Sequence, residues 1–213
     1  MEATRQDRRD RHFELAATVL LALAAVATAW AAYQSARWHG EQAKSQSASI
    51  GARVESTRAA NVANRQAQID VALFTQWVDA YARDETELSD FYRKRFRPEF
   101  QPAFDAWVAT KPRTNPDAPL SPFAMPQYKL AATAQADRLE AQATTFSERV
   151  GHFIQRADNY SLAVVLFAAS LFFAGISTRL RSPAARMAIL GLGYALFSGS
   201  LIWIATFPVS LSV

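Results

Sequence analysis

Cysteine is absent from the 213-residue chain, which excludes disulfides, thiol nucleophiles and thiolate-held metals. Histidine is scarce, with three residues at His12, His39 and His152. Proline is missing from residues 13–97 and 127–182, and seven of the nine prolines fall between Pro98 and Pro126. Charge is missing from Leu15 to Gln34 and from Asn159 to Thr178. The chain also contains no Gly-rich phosphate loop, no nucleophile elbow and no paired-carboxylate arrangement. Neither an enzymatic activity nor a cofactor is expected.

What is present is apolar sequence in three long runs, Phe13 to Tyr33, Tyr160 to Thr178 and Met187 to Phe207. Each approaches or exceeds the roughly 20 residues that cross about 30 Å of hydrocarbon. Transmembrane helices are therefore expected over 13–33, 159–178 and 187–207. A secretory signal peptide has an apolar region of only about 7 to 15 residues. The first run is longer and continues through Trp30 and Tyr33, which favours an uncleaved anchor.

The pI near 9.6 invites a nucleic-acid reading, which the distribution of charge removes. Residues 1–14 hold four Arg and four acids, residues 34–158 hold 16 basic and 15 acidic side chains, and everything after Asp158 holds three Arg and no acid. The surplus lies beside membrane segments, so its meaning is topological. Basic residues resist translocation. Arg5, Arg8, Arg9 and Arg11 before the first span, and Arg179, Arg181 and Arg186 between the second and third, place residues 1–12 and 179–186 in the cytoplasm. Residues 34–158 and the C-terminal 208–213 are then external. Trp30, Tyr33, Trp38, Tyr160 and Trp203 fall at the outer boundaries, where interfacial aromatics belong. Ser182-Pro183 reads as an N-cap with Pro at N1, so spans two and three form a hairpin.

The proline map predicts an all-α membrane protein with an extended extracytoplasmic helical hairpin: a coiled-coil stalk of 34–82 and 127–158 closed by a small helical head, 83–126. On the returning arm Ala132, Ala136, Leu139, Ala143, Phe146, Val150, Phe153, Ala157 and Tyr160 alternate steps of four and three, a heptad seam. The outgoing arm is dominated by small and polar residues, which suit close helix packing between chains or a wall facing water. A single helix over 34–97 would reach about 96 Å while 127–158 returns about 48 Å at 1.5 Å per residue, so the outgoing arm must break, near Ala82 to Asp84. Asp84 and Glu87 have capping-box spacing, and the acids there and the bases from Arg93 to Arg97 match the dipole of a separate short helix. Phe74, Trp77, Tyr81, Phe91, Phe100, Phe104 and Trp107 supply the head core, which either closes the hairpin or lines a binding pocket.

Two stripes of small residues are candidates for oligomer packing: Ala24, Thr28, Ala32, Ala36 and Gly40 in and beyond the first span, and Gly191, Ala195 and Gly199 in the third. His39 and His152, with Glu41 and Glu148 nearby, are the one conceivable metal site, set against the commoner reading of solvated interfacial histidines. Glu14 and Asp158 stand at span edges, near Arg11 and Arg156, and no charged residue lies deeper in a span, so a passive pore fits better than a pump. The basic run Arg93-Lys94-Arg95-Phe96-Arg97 reads as a solvated helix end, with no nucleic-acid partner.

The succession Trp30-Ala-Ala-Tyr33-Gln-Ser-Ala-Arg-Trp38, an Ala/Gln/Ser-rich helix and a late transmembrane hairpin resembles uncharacterised bacterial membrane proteins grouped in families of unknown function. The resemblance implies a bacterial inner membrane and an N-terminal anchor with a C-terminal pair. It assigns no functional residue. The expected partners are the lipid bilayer, further copies of the chain and an envelope protein. The expectation is an oligomeric scaffold or accessory protein, with a pore-forming oligomer and an envelope ligand sensor built on the aromatic head as alternatives.

Overall fold

The computed structural model describes the backbone of residues 2–210 and the side chains of residues 11–210. The side chains of Arg5, Arg8 and Arg9, invoked above for orientation, lie outside the described residues, as do residues 211–213 of the C-terminal segment. The described chain is all-helical: α1 (Glu2–Ala82), α2 (Thr86–Arg93), α3 (Gln101–Ala109), a 3-10 turn at Pro122–Ala124, α4 (Ala131–Ser177) and α5 (Pro183–Ala205). Three of these helices, α1, α4 and α5, carry stretches long and apolar enough to cross a membrane.

Helix α1 runs without interruption because it contains no proline and is rich in alanine, the strongest helix former. Its end has a defined chemistry. Asp84 takes a left-handed conformation (φ 61°), the Glu85 N–H donates to the Ala80 carbonyl at 3.0 Å and the Asp84 N–H to the Tyr81 carbonyl at 3.2 Å. This is the Schellman pair of bonds, with Asp84 where glycine is usual. The expected capping box fails for that reason. Asp84 is spent on closing α1, and α2 begins after Glu85, whose side chain makes no cap bond. Glu87 in the first turn of α2 and Arg93 in its last still match the dipole. Helix α3 also ends on a left-handed residue, Lys111 at φ 54°, whose N–H donates to the Val108 carbonyl at 3.0 Å; Pro112 follows and, having no N–H, makes no second Schellman bond.

The chain divides into two compact units, residues 1–47 with 146–213 and residues 48–145. In the first, Ala31, Trp38, Ala157, Tyr160, Ala163, Phe167 and Ile204 form one buried cluster, and Ala17, Leu20, Ala174 and Leu190 form another. Small residues let the helices approach. Gly193 is in such a contact, since a Cβ there would meet Leu20 Cδ2 at 3.2 Å and the Ser170 carbonyl oxygen at 3.4 Å. Leu15, Val26, Val165, Phe172, Met187 and Ile202 point outward and are exposed, an apolar surface suited to lipid. Beyond α5, the Ser210 N–H donates to Gln34 Oε1 at 3.0 Å, and Gln34 is fully buried. Ser182 occupies the N-cap position of α5 through its backbone, with no side-chain cap bond.

In the second unit the serines of α1 replace apolar side chains at the contact with α4. Ser49 Oγ donates to the Ala143 carbonyl at 3.0 Å and Ser56 Oγ to the Ala136 carbonyl at 3.0 Å. Ala59 and Ala63 are buried on the same face of α1, as are Ala136 and Ala143 on α4. The small and polar outgoing arm, read in the sequence as a surface for other chains or for water, is packed within the chain over Ser49, Ser56, Ala59 and Ala63. The buried and half-buried positions of α4 in this unit, Ala132, Ala136, Leu139 and Ala143, are the members of its seam. In the other unit Phe146, Val150, Phe153, Ala157 and Tyr160 continue the same rhythm.

Candidate functional site: an aromatic groove and a buried carboxylate

Four consecutive features of the sequence build the aromatic centre of the 48–145 unit. The last turns of α1 present Phe74, Trp77 and Tyr81 at helical spacing. The bend after α2 supplies Phe96. Helix α3 supplies Phe100 at its N-cap and Phe104 and Trp107 on one face, and the proline-rich return supplies Phe123 and Tyr128. Trp77, Phe96, Phe100, Phe104 and Trp107 are buried together, and Phe74, Phe123 and Tyr128 pack against them. The rings meet mostly edge to face, as at Trp77–Phe104 (4.8 Å) and Phe96–Phe104 (4.8 Å), the arrangement favoured by the ring quadrupole. Phe91 stands outside this core, exposed, with the Arg95 guanidinium 3.3 Å from its ring centroid. Phe96 is buried in it, against Phe100 and Phe104.

Tyr81 lies at the rim. Its ring stacks on Trp77 at 4.8 Å with 13° between planes, and 42% of the residue is exposed. The two rings form the floor of an open groove of about 1000 Å³. One bank carries Asp84, Glu85 and Asp90; the other is the loop after α3, with Lys111 and Arg113. That loop is fastened by the Trp107 indole N–H, which donates to the Pro119 carbonyl at 2.7 Å, and by Asn115, whose amide donates to the Thr110 carbonyl at 3.1 Å. Arg93 is neutralised by Asp105 at 3.0 Å, and the Arg113 guanidinium sits 5.1 Å from the Tyr81 centroid. The three carboxylates of the bank make no ion pair with any described residue.

A second polar feature lies deeper. Asp70 of α1 is fully buried. Its Oδ2 accepts from Arg97 Nη1 at 2.9 Å and from the Tyr128 hydroxyl at 3.1 Å. Arg97 also pairs with Glu99, and Glu99 Oε1 accepts the Ala131 N–H at 3.4 Å, a negative charge at the start of α4. The network ties α1 to the 97–99 bend and to the segment entering α4. Burial raises the Asp70 pKa above its ordinary value; Arg97 and the Tyr128 bond oppose the rise without cancelling it. The Tyr128 hydroxyl is pushed up to about 12, first by burial and then by the Asp70 charge. Asp70 Oδ1 has no hydrogen-bond partner among the described residues.

The histidines do not converge on a metal-binding set. His39 and His152 are both exposed, the His39 Nδ1–H donates to Gln42 Oε1 at 3.0 Å, and Glu41 is engaged by Lys44 at 2.8 Å. Among the described residues no three His, Asp or Glu side chains could hold an ion. Of the first small-residue stripe, Ala24 is buried within the chain and Thr28 is half-buried, whereas Ala32, Ala36 and Gly40 are exposed. Gly191, Ala195 and Gly199 are all exposed, and a Cβ on Gly191 or Gly199 would meet nothing within 4 Å.

The sequence reading passed over Asp70, Gly193 and the Gln34–Ser210 pair. A signal for Asp70 existed. Counting in steps of four and three from Trp38 gives Gln42, Ser45, Ser49, Ala52, Ser56, Ala59, Ala63, Gln66, Asp70, Leu73 and Trp77, every one buried or half-buried. Asp70 is the acid in that register. No family model, curated protein or solved structure matches this chain.

Proposed function

We propose that this chain is a self-associating integral-membrane scaffold or accessory protein whose 48–145 unit recognises a partner outside the cytoplasm. In this reading the apolar segments of α1, α4 and α5 are the anchors, the seamed parts of α1 and α4 form the stalk, and the aromatic unit is the head. The observation that carries it is the groove floored by Trp77 and Tyr81. Large amphipathic rings set in an open concavity, bordered by exposed charges, are the chemistry of recognition surfaces. Self-association is supported by the stripe of Gly191, Ala195 and Gly199, all three exposed among the described residues.

A pore lined by the serine-rich arm has less support. Ser49 and Ser56 are buried and donate to carbonyls within the chain, and Ser35 shares a hydrogen with Ser161 at 2.9 Å. None of the three offers its hydroxyl to a water path.

Leu120, 99% exposed on the groove wall, is the position for a test. A photo-crosslinking residue placed there in cells should give a discrete adduct with a protein other than the chain itself. The same residue at Arg138, on the exposed face of α4, should not give it. An identical adduct pattern from both positions, or none from Leu120, would overturn the recognition reading.

A further inference from the structure

We infer that Asp70 is a proton-binding site of the 48–145 unit: a proton taken from solvent enters on Oδ1, which then donates to Gln66 Oε1, while Oδ2 keeps its bonds from Arg97 and Tyr128. Acid then leaves the tie between α1, the 97–99 bend and the segment entering α4 in place. The site is separate from the groove, whose lining includes none of these residues.

Two buried oxygens point to that proton. Asp70 Oδ1 and Gln66 Oε1 are both shut off from solvent, and neither accepts a hydrogen bond from any described residue. Gln66 and Asp70 stand at i and i+4 in the buried register of α1, the spacing at which side chains on a helix are neighbours and Gln–Asp pairs hydrogen-bond. Two buried acceptors without a donor are costly. One proton serves both. Arg97 Nη1 and the Tyr128 hydroxyl donate to the other oxygen, Oδ2, at 2.9 and 3.1 Å, so a proton on Oδ1 displaces neither.

Charge favours the same step. Arg97 also pairs with Glu99, so one cation faces two carboxylates, and Asp70 is the one that is fully buried. Burial makes it hold a proton more tightly than an exposed aspartate does, with Arg97 and the Tyr128 bond opposing. The other surroundings add no buried charge: Ala132 and Ala136 are the first inward positions of α4, and Arg65 of α1, Lys129 before α4 and Asp137 of α4 are exposed.

The test titrates the full-length protein in nonionic detergent from about pH 3 to about pH 8 and follows the infrared carbonyl stretch of protonated carboxyl groups. The component missing from Asp70→Asn belongs to Asp70, and its midpoint is expected above the ordinary 3.8. Gln66→Met keeps the side-chain length and removes the acceptor; it should lower the midpoint by about half a pH unit or more, the scale of one hydrogen bond. Gln66→Leu serves if Gln66→Met does not fold. Phe100 and Gln101, whose N–H groups donate to the Arg97 carbonyl, should keep their hydrogen-exchange protection on both sides of the midpoint. Asp70→Asn should fold with the same protection, since asparagine presents one donor side and one acceptor side, as the protonated acid does.

A midpoint at or below 3.8, one that Gln66→Met leaves in place, or an Asp70→Asn chain that does not fold would overturn the inference. So would a midpoint raised by Gln66→Met, which would make the amide a donor to the ionised carboxylate. Protection lost at Phe100 and Gln101 as Asp70 gains its proton would mean that Arg97 is displaced, against the tie that outlasts acid.

Discussion

Asp84 and Asp70 show how differently one residue type behaves in two backbone settings. Asp84 stands where a helix end demands a left-handed residue, and a side chain with a Cβ costs about 1 kcal/mol or more there relative to glycine. Asp84→Gly should therefore raise stability by about 0.5–1 kcal/mol in chemical denaturation, even though it removes a groove carboxylate. Asp70 is buried against Arg97 and Tyr128. Arg97→Ala leaves that carboxylate without its cation, and such losses cost about 3–5 kcal/mol. The folded Asp70 pKa lies above the unfolded value, so the native state holds the proton more tightly. The stability this adds is full below the unfolded pKa near 3.8 and is lost as pH rises through the folded pKa. Thermal melts should show a larger wild-type advantage over Asp70→Asn at pH 4 than at pH 7. A difference independent of pH would contradict the assignment.

At the scale of elements, glycine and serine decide how close helices come. Gly193 faces Leu20, Phe173 and Ser170 at contact distance, while Gly191 and Gly199 face nothing within 4 Å. Gly193→Val should overpack the helix contact and destabilise the protomer by about 1–3 kcal/mol. Gly191→Val and Gly199→Val should leave the thermal transition of the protomer in place and shift the population of larger assemblies, read by native mass spectrometry in mild detergent. Monomers alone from the unmodified chain would remove self-association from the proposal. On α1, Ser56→Ala deletes the bond to the Ala136 carbonyl without removing the close approach, and about 0.5–1.5 kcal/mol should be lost.

For the whole molecule the distribution of charge makes the strongest statement. Three helices carry segments that suit a bilayer by length and composition, and the topology we propose puts the arginines between the last two, Arg179, Arg181 and Arg186, in the cytoplasm under the positive-inside rule. A periplasmic-active reporter fused after Pro116 should be active and one fused after Arg181 inactive, in a bacterial host. The reverse pattern would invert the proposed topology and put the groove in the cytoplasm. Dependence of the crosslink from Leu120 on that topology joins the two proposals at this scale.

How much of this was legible depends on the residue class. Long apolar runs, the proline map and the alternation from Ala132 to Tyr160 are one-dimensional signals, because hydrophobic thickness and helical period act along the chain. They determined the all-helical architecture, the three membrane-compatible helices and the face of α4 that is buried. Between Trp38 and Leu73 the matching face of α1 is written in serine, alanine, glutamine and one aspartate, so its four-three register carries little hydrophobic contrast. Only packing against α4 showed that they are interior. Among the aromatics, composition marked the cluster, but Phe91 and Phe96 differ only in which way the chain turns after α2, and that turn exists in three dimensions. The same holds for the groove and for Asp70: their partners lie 27 to 58 residues away along the chain in the case of the carboxylate, and tertiary structure alone decides whether a charged side chain meets water, a ring or another charge.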